Sequence, residues 1–563
     1  MSNEPIAAKV DSLSFINCPD EVAIKITELD SQDYCRRIWG KDASLWKSDP
    51  TEQIMIEKSL GWLVVIGEMQ EALTKIDQFV QNIKKSGFSH VVHLGMGGSS
   101  LAALVFARTF DLRDGLPLTV LDTTDPITIK KIADSVPLAK TLFIVASKSG
   151  TTGETLALKD YFYERLKFLK GDQAGENFVA ITDANNVLVQ MAQNEKFRQV
   201  FLNQSDIGGR YSALTYFGLV PAALMGIDVS EILKRAMKFA EATRANVEGP
   251  PSAAFTLGAV LGEMARHKKN KVTFIVEKPL ETFGLWVEQL IAESTGKDGT
   301  GIIPITNEPL GKPSDYGNDR LFIYLTLEVV SKNSNDEKLK NFVLALSEAG
   351  QPIVTIKMKD LFDLGQEFFR WEFAAALAGA ILGINAFDQP NVQKNKDITN
   401  QILSEKLVQE NPTFTEGSLS IYSTENLRPF LLNTHPGDYL ALMAFLPESP
   451  TTTEWLQRIR ASMQDKLRLA TTLGYGPRFL HSTGQLHKGG PSNGLFIQLT
   501  ADYIPDISIP FRKYTFGDFI TAQAQGDLQV LRANQRRALR IHLGSDVESG
   551  LKELLELVSK LNQ

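Results

Sequence analysis

The sequence predicts an α/β protein built on parallel sheets, and two patterns carry that expectation. From His90 onward, short apolar runs ending in glycines or small hydroxyl residues alternate with helical stretches. The same alternation restarts at Val272, after a proline-containing break at residues 248–252. Parallel strands need a covering crossover, usually a helix, so both faces of the sheet are buried and each strand reads as a continuous apolar run.

The elements follow in order. Residues 1–80 carry helical patterns such as 54–80, without obvious chemistry, and read as an N-terminal helical segment. V-V-H-L (91–94) is a strand running into G-M-G-G-S-S (95–100), with helix 101–110 behind it. L-T-V-L-D (118–122), L-F-I-V-A (142–146) and N-F-V-A-I-T-D (177–183) are the next strands, and helix 156–169 follows the second of them. The second set has strands 272–276 and 321–325 with helices 284–293 and 367–383. The expected divisions are 1–80, 81–245, 246–400 and 401–563. The last region echoes the one before it: N-G-L-F-I-Q-L-T (493–500) resembles D-R-L-F-I-Y-L-T (319–326). More loosely, Y-T-F-G-D-F (514–519) resembles L-F-D-L-G-Q (361–366), and the two echoes read either as a degenerate repeat or as convergence of amphipathic patterns. Leu551, Leu554, Leu555, Val558 and Leu561 share one face of a terminal amphipathic helix.

Composition narrows the function. With 43% apolar and 22% charged residues in a chain of 563, a sizeable core is expected. A net charge of −7 argues against non-specific nucleic-acid binding. Cys18 and Cys35 provide neither a disulfide framework nor a CxxC pair. The acidic, polar N-terminus is no signal peptide, and the most apolar stretch, 373–384, is too short to span a bilayer. A Walker loop, a dinucleotide fingerprint and metal-ligand spacing are all missing. The expectation is a cytoplasmic enzyme with no cofactor, no metal, and no nucleic-acid or membrane partner.

The chemistry centres on residues 147–153. Ser147, Ser149, Thr151 and Thr152 stand with Gly150 and Gly153 where a buried strand meets a helix N-terminus, which is a cradle for an anion such as phosphate. A polar-capped turn is the plain alternative. Gly97 and Gly98 read either as a plain tight turn or as glycines that let the backbone approach a ligand, with Ser99 supplying a hydroxyl. Arg210 follows Gly208 and Gly209, and reads either as a cleft cation or as a solvated surface residue. Gln289 and Glu293, four apart, share a helix face, with Glu293 in the last turn. There the helix dipole opposes a carboxylate and tends to raise its pKa, as a base working near neutrality requires. The alternative is an exposed ion pair with Lys297. His481 and His487 fall in the glycine-rich stretch 479–490, read as a loop. These parts suit proton abstraction beside the carbonyl of a phosphorylated sugar.

Gly97-Gly98-Ser99, residues 147–155, Gly208-Gly209-Arg210, Gln289 to Lys297, and Phe387-Asp388-Gln389-Pro390 with Lys396 resemble, in that order, the motifs of glucose-6-phosphate isomerases. The whole length is similar to the isomerase half of bacterial transaldolase/glucose-6-phosphate isomerase fusions; no barrel precedes the match, so transaldolase activity is not expected. The resemblance implies two sugar-isomerase (SIS-type) three-layer α/β/α domains, an N-terminal helical segment and a C-terminal α/β region, usually in a homodimer acting on a phosphorylated hexose. It makes Glu293 the base moving the C1/C2 proton and Arg210 the stabiliser of the enediolate. Ser99, Ser147, Ser149 and Thr152 become phosphate ligands, with Gly98 and Lys148 lining the pocket. Gln289 and Gln389 hold the sugar, and Lys396 matches a lysine implicated in ring opening. The family's ring-opening histidine lies between the glutamate motif and F-D-Q, where this chain has none between His267 and His435. Its replacement is read as His481 or His487, working from the C-terminal loop of the same subunit or of a second one. A non-catalytic phosphosugar-binding regulator and an isomerase of another phosphosugar are the competing readings.

Overall fold

The computed structural model describes residues 8–10, 12–111, 114–245, 251–328, 334–405 and 410–561. The break expected at 248–252 lies, except for its last two residues, outside the described residues.

The described chain opens on strands. β1 (Ala8–Val10) and β2 (Leu13–Ile16) form an antiparallel hairpin within the segment read as helical. At three and four residues, these strands are too short to give a period in sequence. The 54–80 pattern resolves into helices Pro50–Glu57, Val65–Glu71 and Leu73–Lys85.

Three sheets follow. The first contains β3 (His90–Gly95), β4 (Leu118–Leu121), β5 (Thr141–Ala146), β6 (Phe178–Asp183) and β7 (Gln199–Asn203), all parallel, in the order β4-β3-β5-β6-β7. The second contains β8 (Lys271–Val276), β9 (Ile303–Ile305), β10 (Arg320–Leu327) and β11 (Ile353–Met358), parallel in the order β9-β8-β10-β11. The N-terminal hairpin closes its edge, with β2 antiparallel to β11. The third contains the hairpin β12 (Phe414–Glu416)–β13 (Leu419–Tyr422), then β14 (Tyr439–Phe445), β15 (Ala470–Tyr475), β16 (Gly494–Thr500) and β17 (Arg537–His542). Its parallel strands run β15-β14-β16-β17, with β13 antiparallel at the β17 edge.

Counted by chain position, the first four parallel strands of each sheet all run second, first, third, fourth. The second and third sheets further share a closing antiparallel hairpin. The echo at 319–326 and 493–500 falls on β10 and β16, which hold the same place in their sheets. The looser echo does not correspond, because 361–366 follows β11 whereas 514–519 follows β16.

The helix Leu364–Leu382 is apolar nearly all round and is accordingly buried. It lies against Ala253–Arg266 so closely that a Cβ on Gly258 would stand 2.9 Å from the Ala374 carbonyl. Within it, Arg370 and Glu367 form an ion pair with both side chains 0% exposed, and Arg370 Nη2 donates to Ser12 Oγ at 2.6 Å. That bond ties the hairpin to the core; removing either partner of such a pair costs about 3–5 kcal/mol.

Candidate active site

β3 and β5 end side by side, Gly95 opposite Ala146, and the chain beyond each enters a cleft of about 340 Å³. Beyond β3, Gly97 adopts φ +53°, and a Cβ there would lie 2.6 Å from the His481 carbonyl oxygen. A Cβ on Gly98 would stand 2.1 Å from the Gly209 carbonyl oxygen, so glycine brings this turn against the arginine loop. His93 fixes the turn from below: its Nε2 donates to the Ser99 carbonyl at 2.7 Å, and burial pushes the ring's pKa down to about 4. Ser99 lines the cleft.

Beyond β5, Lys148, Ser149 and Thr152 line the same cleft. Ser147 is not in its wall; its hydroxyl lies 2.9 Å from Thr152 Oγ1 and supports the cradle from behind. Lys148 Nζ is held at 2.7 Å by Asp183 Oδ2 and donates to the Ser205 carbonyl. Thr152 precedes helix Gly153–Lys170 without a capping bond, leaving that N-terminus available to an anion.

The opposite wall comes from the second unit. Helix Phe283–Thr295 buries Trp286, Val287, Leu290 and Ile291 and turns Gln289 and Glu293 to the cleft. Gln289 Nε2 donates to Glu293 Oε2 at 3.1 Å and to the His481 carbonyl at 2.7 Å. Gln289 Oε1 has no hydrogen-bond partner among the described residues. Arg210, 2% exposed, points Nη1 at Glu293 Oε1 (3.5 Å) and at Gln389 Oε1 (3.1 Å). Its Nε donates to Ser294 Oγ, and Nη2 to the Ala386 and Asp388 carbonyls. The long contact to Glu293 is therefore its weakest engagement. Lys297 does not pair with Glu293. Its ammonium donates to the carbonyls of Asn385 and Asp388 and to Asp388 Oδ1 (2.6 Å), and burial followed by the nearby Arg210 charge lowers its pKa to about 8. Lys297 and Arg210 thus clamp the turn that carries Gln389.

Lys396, from helix Pro390–Glu405, and His481 complete the wall. The stretch read as a loop is helical: residues Arg478–His481 form one turn and Gly484–Gly489 another. His481 Nε2 lies 2.8 Å from Glu154 Oε1, which also accepts from Gln523 Nε2 at 2.7 Å. Burial raises the Glu154 pKa, but His481, then a hydrogen bond from its own backbone amide and then Lys396 more than offset this and hold it below the usual range. His487 is not in the cleft. It is a core residue, 5.0 Å from the Phe496 ring and 6.0 Å from Phe479, and burial pushes its pKa well down. Sequence reasoning passed over Glu154, Gln523, Ser294 and Lys297 as site residues. Glu154 lay inside the cradle motif, where an acid in a first helical turn needs no further explanation.

The phosphoglucose isomerase family description matches residues 58–306. A glucose-6-phosphate isomerase of Prochlorococcus marinus is 27% identical over 447 residues, covering 73% of this chain and 81% of its own. A probable glucose-6-phosphate isomerase of Methanococcus maripaludis is 26% identical, covering 66% of this chain and 91% of its own. Among solved structures, hypothetical protein TT0462 of Thermus thermophilus aligns with a TM-score of 0.57 at 23% identity, over 69% of this chain and 97% of that one. A Chlamydia trachomatis glucose-6-phosphate isomerase aligns with a TM-score of 0.56 at 19% identity, over 71% and 90%. At these identities the two structures establish the fold. Together with the matched sequence motifs, the comparisons make this chain similar to the phosphoglucose isomerases, the family description spanning residues 58–306.

Proposed function

We propose that the chain interconverts glucose 6-phosphate and fructose 6-phosphate through a cis-enediolate. The observation that carries this is Glu293 facing Arg210 at 3.5 Å in the cleft that the hydroxyl cradle lines. The phosphate is received by Ser99, Ser149, Thr152 and the helix N-terminus behind them, with Lys148 as a cation shared with Asp183. Fixing that end holds C1 and C2 against Glu293. Glu293 removes the proton from one carbon and returns it to the other; a positioned base contributes about 10²–10⁴-fold. The enediolate oxygen displaces the weak Arg210–Glu293 contact and takes that N–H as its donor. Gln289 Oε1 accepts from a sugar hydroxyl, and Gln389 orients the arginine.

His481, held through Nε2 by Glu154, leaves Nδ1 to exchange a proton with the ring oxygen, with Lys396 beside it. The reading is of a cytoplasmic enzyme with no resident cofactor or metal. No helix among the described residues is long and apolar enough to cross a membrane. The family resemblance further implies a homodimer. The test is a coupled assay from fructose 6-phosphate. Wild type should turn over with or without chelator and Glu293→Gln should lose at least roughly 10²-fold in kcat; an unimpaired variant overturns the base assignment.

A further inference from the structure

We propose that the C-terminal unit is a copy of the second unit fused in the place of a second subunit, so that each site is completed in cis by its own chain.

Three observations converge on this. The second and third sheets share both the order of their parallel strands and the antiparallel hairpin at the fourth strand's edge, and the 319–326 and 493–500 echo falls on corresponding strands. They also meet through corresponding parts. The edge strands β9 and β15 lie against one another, and Glu308, just past β9, accepts from the β15 amide of Thr471 at 2.8 Å. Ile303 and Ile305 share one apolar core with Tyr439, Met443 and Ala470. Like meeting like is the signature of a two-fold interface between copies. Here it is built as continuous core within one chain.

The C-terminal unit fills the corresponding place with side chains of its own. Its third strand, β16, leads to helix Phe516–Ala533 as β5 leads to Gly153–Lys170. At that helix start, however, Asp506 Oδ1 accepts from the Gly517 amide at 2.8 Å, and Thr515 and Asp518 close a capping box. Asp506 thus brings a carboxylate from outside the helix onto its first-turn amide, where a phosphate would meet like charge, whereas the Thr152 side chain makes no capping bond at Gly153–Lys170.

The unit also feeds the first cleft. It supplies the His481 side chain, the His481 carbonyl for Gln289, and Gln523 for Glu154. Arg478 anchors it with a two-pronged bond to Asp122 at 2.7 and 2.8 Å. These groups reach the cleft from the same chain that supplies Glu293 and Arg210.

The kinetic arm of the test rests on the isomerase reading; the binding arm does not. Glu293→Gln and His481→Asn chains, unfolded together and refolded as a mixture, are assayed with fructose 6-phosphate. Sites built in cis predict a mixture no more active than the two variants apart. Sites shared between chains predict recovery to roughly a quarter of wild type from randomly mixed dimers, and that recovery overturns the proposal. Binding of glucitol 6-phosphate, which has no carbonyl to isomerise, is measured by calorimetry on wild-type protein across a dilution series, with sedimentation alongside. The proposal expects one ligand per chain and an affinity unchanged by dilution to single chains. Affinity that falls as chains separate, or a second ligand per chain, overturns it. A wild type that binds but does not turn over sinks the isomerase reading alone.

Discussion

His481 Nε2 and Glu154 Oε1 stand 2.8 Å apart across the boundary between the C-terminal and first units, in residues 327 positions apart in the chain. Glu154 is buried at the start of the helix behind the phosphate cradle, so one short element serves both ends of the cleft. Its hydroxyl-rich approach faces the proposed phosphate position, and its first acid orients the imidazole.

Ring opening should therefore separate from isomerisation. Glu154→Gln and His481→Asn are expected to cut turnover of fructose 6-phosphate by roughly 10²-fold, the usual worth of a positioned acid or base. Both should turn over 5-deoxyfructose 6-phosphate, which cannot close a furanose ring, close to the wild-type rate. Equal loss on both substrates in steady-state assays would remove the pair from ring opening.

The two histidines of the C-terminal stretch should behave oppositely. His487→Leu is expected to keep full activity, because His487 packs between Phe479 and Phe496 with Nδ1 unpartnered. Its folded pKa lies below the unfolded value of about 6.5, so the stability it contributes is present above that pH and lost as pH falls. Denaturant melts between pH 7 and 5 should show a shallower acid decline in the variant. An unchanged slope would show that His487 is not the source.

The sequence distinguished strands from helices wherever an element was long and buried on both faces, as at β3, β5 and β10. Its periodicity could not reveal the hairpin β1–β2, whose place at the edge of β11 is fixed by pairing over three hundred residues away. Glu293 was legible because its partner Gln289 lies one helical turn away. Lys297 was not, since the i+4 rule offered Glu293 while its actual carboxylate, Asp388, is 91 residues on. His481 and His487 stand six positions apart, and only the fold tells the cleft from the core. Spacing within one stretch carries no such information.

Gly98→Ala should damage the site more than the fold. The new Cβ would stand 2.1 Å from the Gly209 carbonyl oxygen and 2.8 Å from the Arg210 amide, so the arginine loop must move. A displacement of about 1 Å can cost roughly 10²-fold in rate. The expected outcome is a fall in kcat larger than any rise in KM, with thermal unfolding still cooperative. A variant with wild-type kcat would show that the loop can yield without moving Arg210.

Lys297 should set an alkaline limit on activity. Its folded pKa of about 8 lies below the ordinary 10.5, chiefly through burial and then the Arg210 charge. Between those values the unfolded chain holds the proton and the folded chain does not. This group therefore makes folding more favourable as pH rises through that window, by up to about 3 kcal/mol. Activity should move the other way, because the neutral amine loses its ion pair with Asp388 and loosens the turn carrying Gln389. A descending limb near pH 8 is expected in the wild-type kcat/KM profile. Lys297→Met should lack that limb and sit roughly 10-fold lower at its plateau, since the turn is then unclamped at every pH. The limb surviving unchanged in Lys297→Met would assign it to another group. In denaturant melts from pH 7 to 10, wild type should gain stability relative to Lys297→Met as the amine loses its proton; a constant difference would place the shift elsewhere.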